Sequence, residues 1–182
     1  MIINGGLYKN KKIYSKIKNI TLYVKPTKSK VKESIFSVIN SFINDKSCFL
    51  DLCCGTGSIG IEALSRGFKK VYFVDISKKH LALVKHNLDR IKCVNHSYSL
   101  IQSNLFYLQI PREILFNVIY LDPPYQTTIT NRVFQDIKKI LNVNSLLIVE
   151  TGKIILLSII KDYRLIFTRS YGKSVITIMT PK

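Results

Sequence analysis

The sequence predicts an α/β fold: a mostly parallel sheet covered on both faces, closed by a C-terminal antiparallel hairpin and preceded by a small β-hairpin and helix. Three observations carry this. Short apolar runs alternate with segments of helical periodicity from residue 47 onward. A glycine loop, Gly55-Thr56-Gly57, joins the first of those runs to a helix. A rigid Asp122-Pro123-Pro124-Tyr125 loop follows another run. Both loops fall at the carboxyl ends of strands, where open parallel sheets bind ligands.

Residues 1–14 read as the hairpin, with apolar 1–3, a turn at Asn4-Gly5-Gly6 and a return through Ile13-Tyr14. Over 28–44, Val31, Ile35, Val38, Ile39 and Phe42 fall at helical spacing and leave a lysine-bearing face outward. Residues 48–53 form the first strand and 59–66 a helix ended by Gly67. A second strand covers 71–74, after which Ser77 caps a helix with Leu81, Val84, Leu88 and Ile91 on one stripe. Strands follow at 97–102 and 118–121, a helix at 131–141, and a fifth strand at 146–150. The runs 164–171 and 174–180, around Gly172-Lys173, make the closing hairpin. No repeat or linker divides the chain, so its 182 residues read as one domain, a basic hairpin and helix over 1–46 and a core over 47–182.

Composition narrows the partners. Hydrophobic residues make up 47% and charged residues 21%, a globular balance. The net charge of +17 is uneven: 1–46 hold ten lysines against two acids, a net of +8. A Lys-, Ile- and Asn-rich composition inflates the count but does not cluster it, so a nucleic acid is the expected partner. An anionic membrane fits less well, because no basic amphipathic helix with an aromatic face stands out. Residues 1–6 lack the apolar core of a secretory signal, and the greasy stretch 154–160 is short and interrupted by Ser158. The expectation is a soluble, cytoplasmic protein that binds no membrane. Cys48, Cys53, Cys54 and Cys93 lack zinc or Cys-x-x-Cys spacing, so no metal is expected and they read as small buried hydrophobes in a reducing compartment.

Gly55-Thr56-Gly57-Ser58-Ile59-Gly60 follows a strand and opens a helix, and Asp75 ends the next strand twenty residues after Gly55. Such an acid binds the hydroxyls of an adenosine ribose, which suits a nicotinamide dinucleotide and S-adenosylmethionine equally. Asp51 separates them. A carboxylate just before the loop would repel a pyrophosphate but attract the cationic amine of the methionine part. The methyl donor is therefore favoured, with Asp51, Gly55, Gly57, Asp75 and the adjacent Ile76 as its binding set.

Asp122-Pro123-Pro124-Tyr125 supplies a chemistry for it. A base amino group is a poor nucleophile because its lone pair is conjugated into the ring. Acceptors on its two N–H bonds, the Asp122 carboxylate and the Pro123 carbonyl, would draw it toward tetrahedral geometry. Proline holds those oxygens without reorganisation. The Tyr125 ring would stack the base, a contact worth about 1–3 kcal/mol. Asp122, Pro123 and Tyr125 are thus the expected catalytic residues.

Nearly end to end, the chain resembles the RsmD family, guanine-N2 methyltransferases of small-subunit (16S) ribosomal RNA. The likeness rests on Ile2-Ile3-Asn4-Gly5-Gly6, Lys25-Pro26-Thr27, Val31 to Phe36, Asp51 to Gly67, Asp122 to Tyr125 and Tyr171-Gly172. It implies the Rossmann-like S-adenosylmethionine-dependent methyltransferase fold with seven strands, and a monomer acting on ribosomal RNA or a ribosomal assembly particle. The clustered lysines of 1–46, Lys25, Lys30 and Lys32 among them, are expected to touch RNA phosphates, and Lys25 and Lys32 stand where the family has arginine. Asn104 replaces an Asp near the adenine and keeps an accepting oxygen. The same loop also serves adenine-N6 methyltransferases on DNA or RNA. A non-catalytic nucleic-acid-binding module and a nicotinamide oxidoreductase are readings of other classes.

Overall fold

The computed structural model describes residues 1–15, 29–111, 113–155, 158 and 160–182. Along the chain run α1 (Ser29–Phe42), β1 (Cys48–Leu52), α2 (Ser58–Ser65), β2 (Lys70–Asp75), α3 (Lys78–Arg90) and β3 (Tyr98–Gln102). Then follow β4 (Phe116–Leu121), α4 (Asn131–Lys138), β5 (Leu141–Thr151), β6 (Tyr163–Tyr171) and β7 (Ser174–Pro181). One seven-stranded sheet results, in the order β3-β2-β1-β4-β5-β7-β6. Strands β1 to β5 pair in parallel, and β7 runs antiparallel to both of its neighbours. The order reverses between β1 and β4, so the crevice of the sheet opens beyond their carboxyl ends.

Burial on both faces explains the unbroken apolar runs. In β4, Val118 and Tyr120 enter the core under α1, α2 and α3, while Ile119 and Leu121 enter the core under α4. The closing hairpin inserts with its second strand inward. Apolar Val175, Ile176, Ile178 and Met179 make β7 a buried strand, whereas Arg164 and Arg169 leave β6 at the edge. The fourth helix is shorter than its periodicity predicts. The Phe116 amide donates to Ile140 O at 2.8 Å and Leu141 pairs with Phe116, so this stretch joins the ladder instead of a last helical turn.

The predicted N-terminal hairpin forms: Ile2 bridges Lys12 in antiparallel sense, Ile3 N donates to Lys11 O at 3.1 Å, Asn10 N to Ile3 O at 2.9 Å and Ile13 N to Met1 O at 2.9 Å. Tertiary contacts dock this arm against α2. Leu7 N donates to Ser65 O at 2.7 Å and Tyr8 N to Ser65 Oγ at 2.8 Å. Gly6 lies at φ +76°, and a Cβ there would sit 1.7 Å from Ser65 O. Glu62 in α2 accepts from the amides of Asn4 (2.9 Å) and Gly5 (2.8 Å), from Lys32 Nζ (3.2 Å) and from Arg66 Nε (2.8 Å).

That carboxylate corrects one expectation. Lys32 does not face a phosphate: it is 2% exposed, paired with Glu62, and donates to Ile2 O at 2.7 Å. Its spacing from Ile35 and Phe36, also buried, puts it on the inner stripe of α1. Lys30 is exposed at the start of α1, and Lys25 lies outside the described residues.

Candidate active site

The turn after β1 is built from left-handed backbone, at Cys53 (φ 63°), Gly55 (φ 52°) and Gly57 (φ 73°). Gly57 shapes this turn and does not line the cavity, since a Cβ there would sit 2.9 Å from Val84. Burial pushes the Cys53 and Cys54 thiols well above their ordinary range, which makes them poor nucleophiles.

Asp51 is buried in β1 and accepts from Gly60 N at 2.8 Å. Burial raises its carboxyl to about 8, with the charge of Asp75 adding to the rise and the Gly60 amide opposing it. Asp75, at the end of β2, accepts from Gly55 N at 3.0 Å and Ser77 N at 2.9 Å, and His80 Nδ1 lies 3.0 Å from it. Burial opposes its ionisation, but the bonds from His80, Ser77 and Gly55 prevail and hold the carboxyl below its ordinary range. The two acids are thus unlike: the hydrogen bonds to Asp75 favour its anion, whereas burial disfavours that of Asp51.

Ile76 is 64% exposed at the cavity mouth, with Phe106 nearby on the same lining. They form an apolar rim where a purine plane can lie. Asn104 also lines the cavity, and its Oδ1 accepts from Phe106 N at 2.9 Å, which leaves the oxygen one further lone pair.

Across the crevice, Asp122 N donates to Leu52 O at 3.2 Å and ties the Asp122–Tyr125 loop to the end of β1. Asp122 is half-buried, Pro123 buried and Tyr125 39% exposed. Thr127 N closes the turn on Pro124 O at 2.7 Å. The Tyr125 hydroxyl shares a 2.7 Å hydrogen bond with Ser174 Oγ, and its ring lies against Gly152. The ring is therefore pinned at both ends, an anchor invisible in the sequence.

These residues share one cavity of about 870 Å³, a volume ample for a nucleoside-sized ligand and a base. Its lining divides by strand. Asp51, Asp75 and Asn104 belong to the β1, β2 and β3 side, and Asp122, Glu150 and Ser174 to the β4, β5 and β7 side. Asp51, Asp75, Asp122 and Glu150 are four of only eleven acids in a chain of net charge +17, and among the described residues the basic ones on the lining are His80 and Lys173. Such a pocket suits a cation and disfavours a pyrophosphate. His80, Phe106, Tyr120, Glu150, Lys173 and Ser174 were not anticipated from the sequence. Among them only Glu150, an acid ending an apolar strand, carried a local signal.

Comparison with known proteins agrees with this geometry. The family model described as conserved hypothetical protein 95 matches residues 1–180. Ribosomal RNA small subunit methyltransferase D of Haemophilus influenzae is 36% identical over 134 residues, 71% of this chain and 69% of that one. Its namesake in Buchnera aphidicola (subsp. Acyrthosiphon pisum) is 29% identical over 84% of this chain and 78% of its own. A solved chain of Haemophilus influenzae, described provisionally as a methylase, has a TM-score of 0.73 at 28% identity, covering 98% of this chain and 96% of that one. An Escherichia coli chain of TM-score 0.83 covers all of this one and 98% of its own length, and at 19% identity it speaks for the fold alone.

Proposed function

The chain belongs to the family described as conserved hypothetical protein 95, the RsmD family, and on that premise we propose that it transfers a methyl group from S-adenosylmethionine to the N2 amine of a guanine in small-subunit ribosomal RNA. The acid-lined cavity carries the reading, because its carboxylates match a cationic donor on one side and an amine acceptor on the other. S-adenosylmethionine supplies an electrophilic methyl group on a sulfonium. Of the residues lining the cavity, Asp75 would accept from the ribose hydroxyls, Asp51 would face the methionine ammonium, and Ile76 and Phe106 would cover the adenine. Asp122 and the Pro123 carbonyl accept the two amine N–H bonds; as the N–C bond forms, the methyl–sulfur bond would break with a neutral thioether leaving, and the Asp122 carboxylate takes the proton that the amine loses. Tyr125 stacks the base after it is lifted from the RNA. The protein acts as a single domain and a monomer, in the cytoplasm with the assembling ribosome. Incubation with labelled donor and separated RNA, DNA and protein fractions tests the substrate class: label is expected in small-subunit RNA, and label in protein alone would overturn the reading.

The carboxyl of Asp51 gives a pH signature. Its value of about 8 lies above the ordinary 3.8, so at pH 7 the free protein holds a proton there. A bound ammonium favours the carboxylate, hence donor binding expels that proton and affinity rises with pH up to about 8. Calorimetry at pH 7 in buffers of different ionisation enthalpy should show release of up to about one proton, absent in Asp51→Asn.

The RNA surface predicts a second measurement. Lys30 is exposed at the start of α1, and Lys173 is exposed and lines the cavity. Replacing both with Gln is expected to flatten the slope of log affinity against log salt by about 0.7–0.9 for each phosphate that the protein no longer neutralises. A slope equal to that of the wild type would place the RNA footprint elsewhere.

A further inference from the structure

We infer that Glu150 reads the base, its carboxylate accepting the N1–H of guanine, so that the site takes guanine and refuses adenine. This deepens the function proposed above and rests on it.

The placement comes from the sheet. The parallel register Leu121 to Val149 sets Asp122 of the catalytic loop alongside Glu150 at the ends of neighbouring strands. Glu150 is 5% exposed, yet it lines the cavity on the side away from Asp51 and Asp75. A buried carboxylate needs donors. Tyr120 provides one, its hydroxyl donating to Glu150 Oε2 at 2.6 Å, while no bond to Oε1 appears among the described residues. Tyr120 is wholly buried, and burial, with Asp122 and Glu150 nearby, keeps its phenol far above its ordinary range. It therefore stays a donor and holds the carboxylate in one orientation.

Guanine presents two donors side by side, the N2 amine and N1–H. Asp122 and Glu150 present two acceptors side by side. Adenine carries its amine beside an N1 lone pair, which would meet a carboxylate lone pair across a dry contact. A site built to receive a hydrogen bond rejects the analogue that lacks it more strongly than one built on shape alone. Asp122 by itself does not separate the bases, since both offer an amine.

2-Aminopurine probes this contact: it keeps the exocyclic amine at position 2 and replaces N1–H with a lone pair, and because it also lacks the 6-oxo group, the Glu150 variant assigns the effect to N1. Short RNAs carrying guanine or 2-aminopurine at the modified nucleotide are compared by kcat/KM. Wild-type protein is expected to prefer guanine by about 10- to 100-fold, the range of one good base-edge contact. Glu150→Gln, which keeps an acceptor for Tyr120 and adds a donor amide, should bring the ratio near unity with donor affinity unchanged. Equal use of the two RNAs by wild-type protein would overturn the inference even if the variant did not fold. So would wild-type discrimination retained in Glu150→Gln. Should wild-type protein leave guanine unmethylated altogether, the proposed function fails first and takes this inference with it.

Discussion

Asp122→Ala is expected to lower single-turnover methylation by about 10²–10³-fold while leaving donor affinity nearly unchanged, by analogy with loss of one preorganised oxyanion-hole donor. The large effect follows from where the carboxylate acts. In the ground state the amine is planar and an acceptor on its N–H bonds gains little. As the nitrogen becomes tetrahedral and cationic, those bonds sharpen, so the loss falls on the transition state. The loop itself should survive, because its anchor to β1 is the backbone bond from Asp122 N to Leu52 O, which alanine keeps. The residues proposed to bind the donor, Asp51 and Asp75, line the other side of the cavity and are untouched by this substitution. Single-turnover rates beside donor titrations separate the two effects, and a raised donor Kd with an unchanged rate would assign Asp122 to cofactor binding instead.

The second large effect is on stability. Glu62→Ala is expected to cost about 3–5 kcal/mol, the range for removing one partner of a buried ion pair. The substitution strips the acceptor from the Asn4 and Gly5 amides and leaves the Lys32 ammonium buried at 2% exposure. For a chain of this size that corresponds to a fall in Tm of roughly 6–20 °C. Thermal melting checks the magnitude, and hydrogen exchange checks the place, since the amides of Asn4 and Gly5 should lose protection first. Combining Glu62→Leu with Lys32→Met should recover part of the loss, because it removes the stranded charge. A double variant as unstable as Glu62→Ala would mean that the arm's backbone bonds, and not the ion pair, carry the stability.

The parts of this fold legible in the sequence are those set by local pattern. The apolar runs ending at Asp51-Leu52 and Leu121-Asp122 marked two central strands and brought both motif loops to one crevice. Less was legible where a distant partner decides. Lys32 looks like a surface cation until Glu62, thirty residues away, is folded against it. The last turn of α4 yields to β5 because Phe116 captures Ile140. The insertion of β7 ahead of β6 was half-written in composition, since Ile176 and Ile178 sit in the later strand and Arg164 and Arg169 in the earlier one. In the site, Asp51, Asp75 and Asp122 announced themselves by spacing from glycine and proline. Their tuning by Gly60, His80 and burial, and the pairing of Tyr120 with Glu150, exist only in three dimensions.

Methylation of the N2 amine of guanine in small-subunit RNA by this cavity can be read directly in the product. The direct measurement is methyl transfer from labelled S-adenosylmethionine to small-subunit RNA lacking the modification, followed by digestion to nucleosides and mass spectrometry. N2-methylguanosine is expected with the wild-type protein and is nearly absent with Asp122→Ala. Label recovered as N6-methyladenosine, or N2-methylguanosine formed equally well by Asp122→Ala, would contradict this assignment.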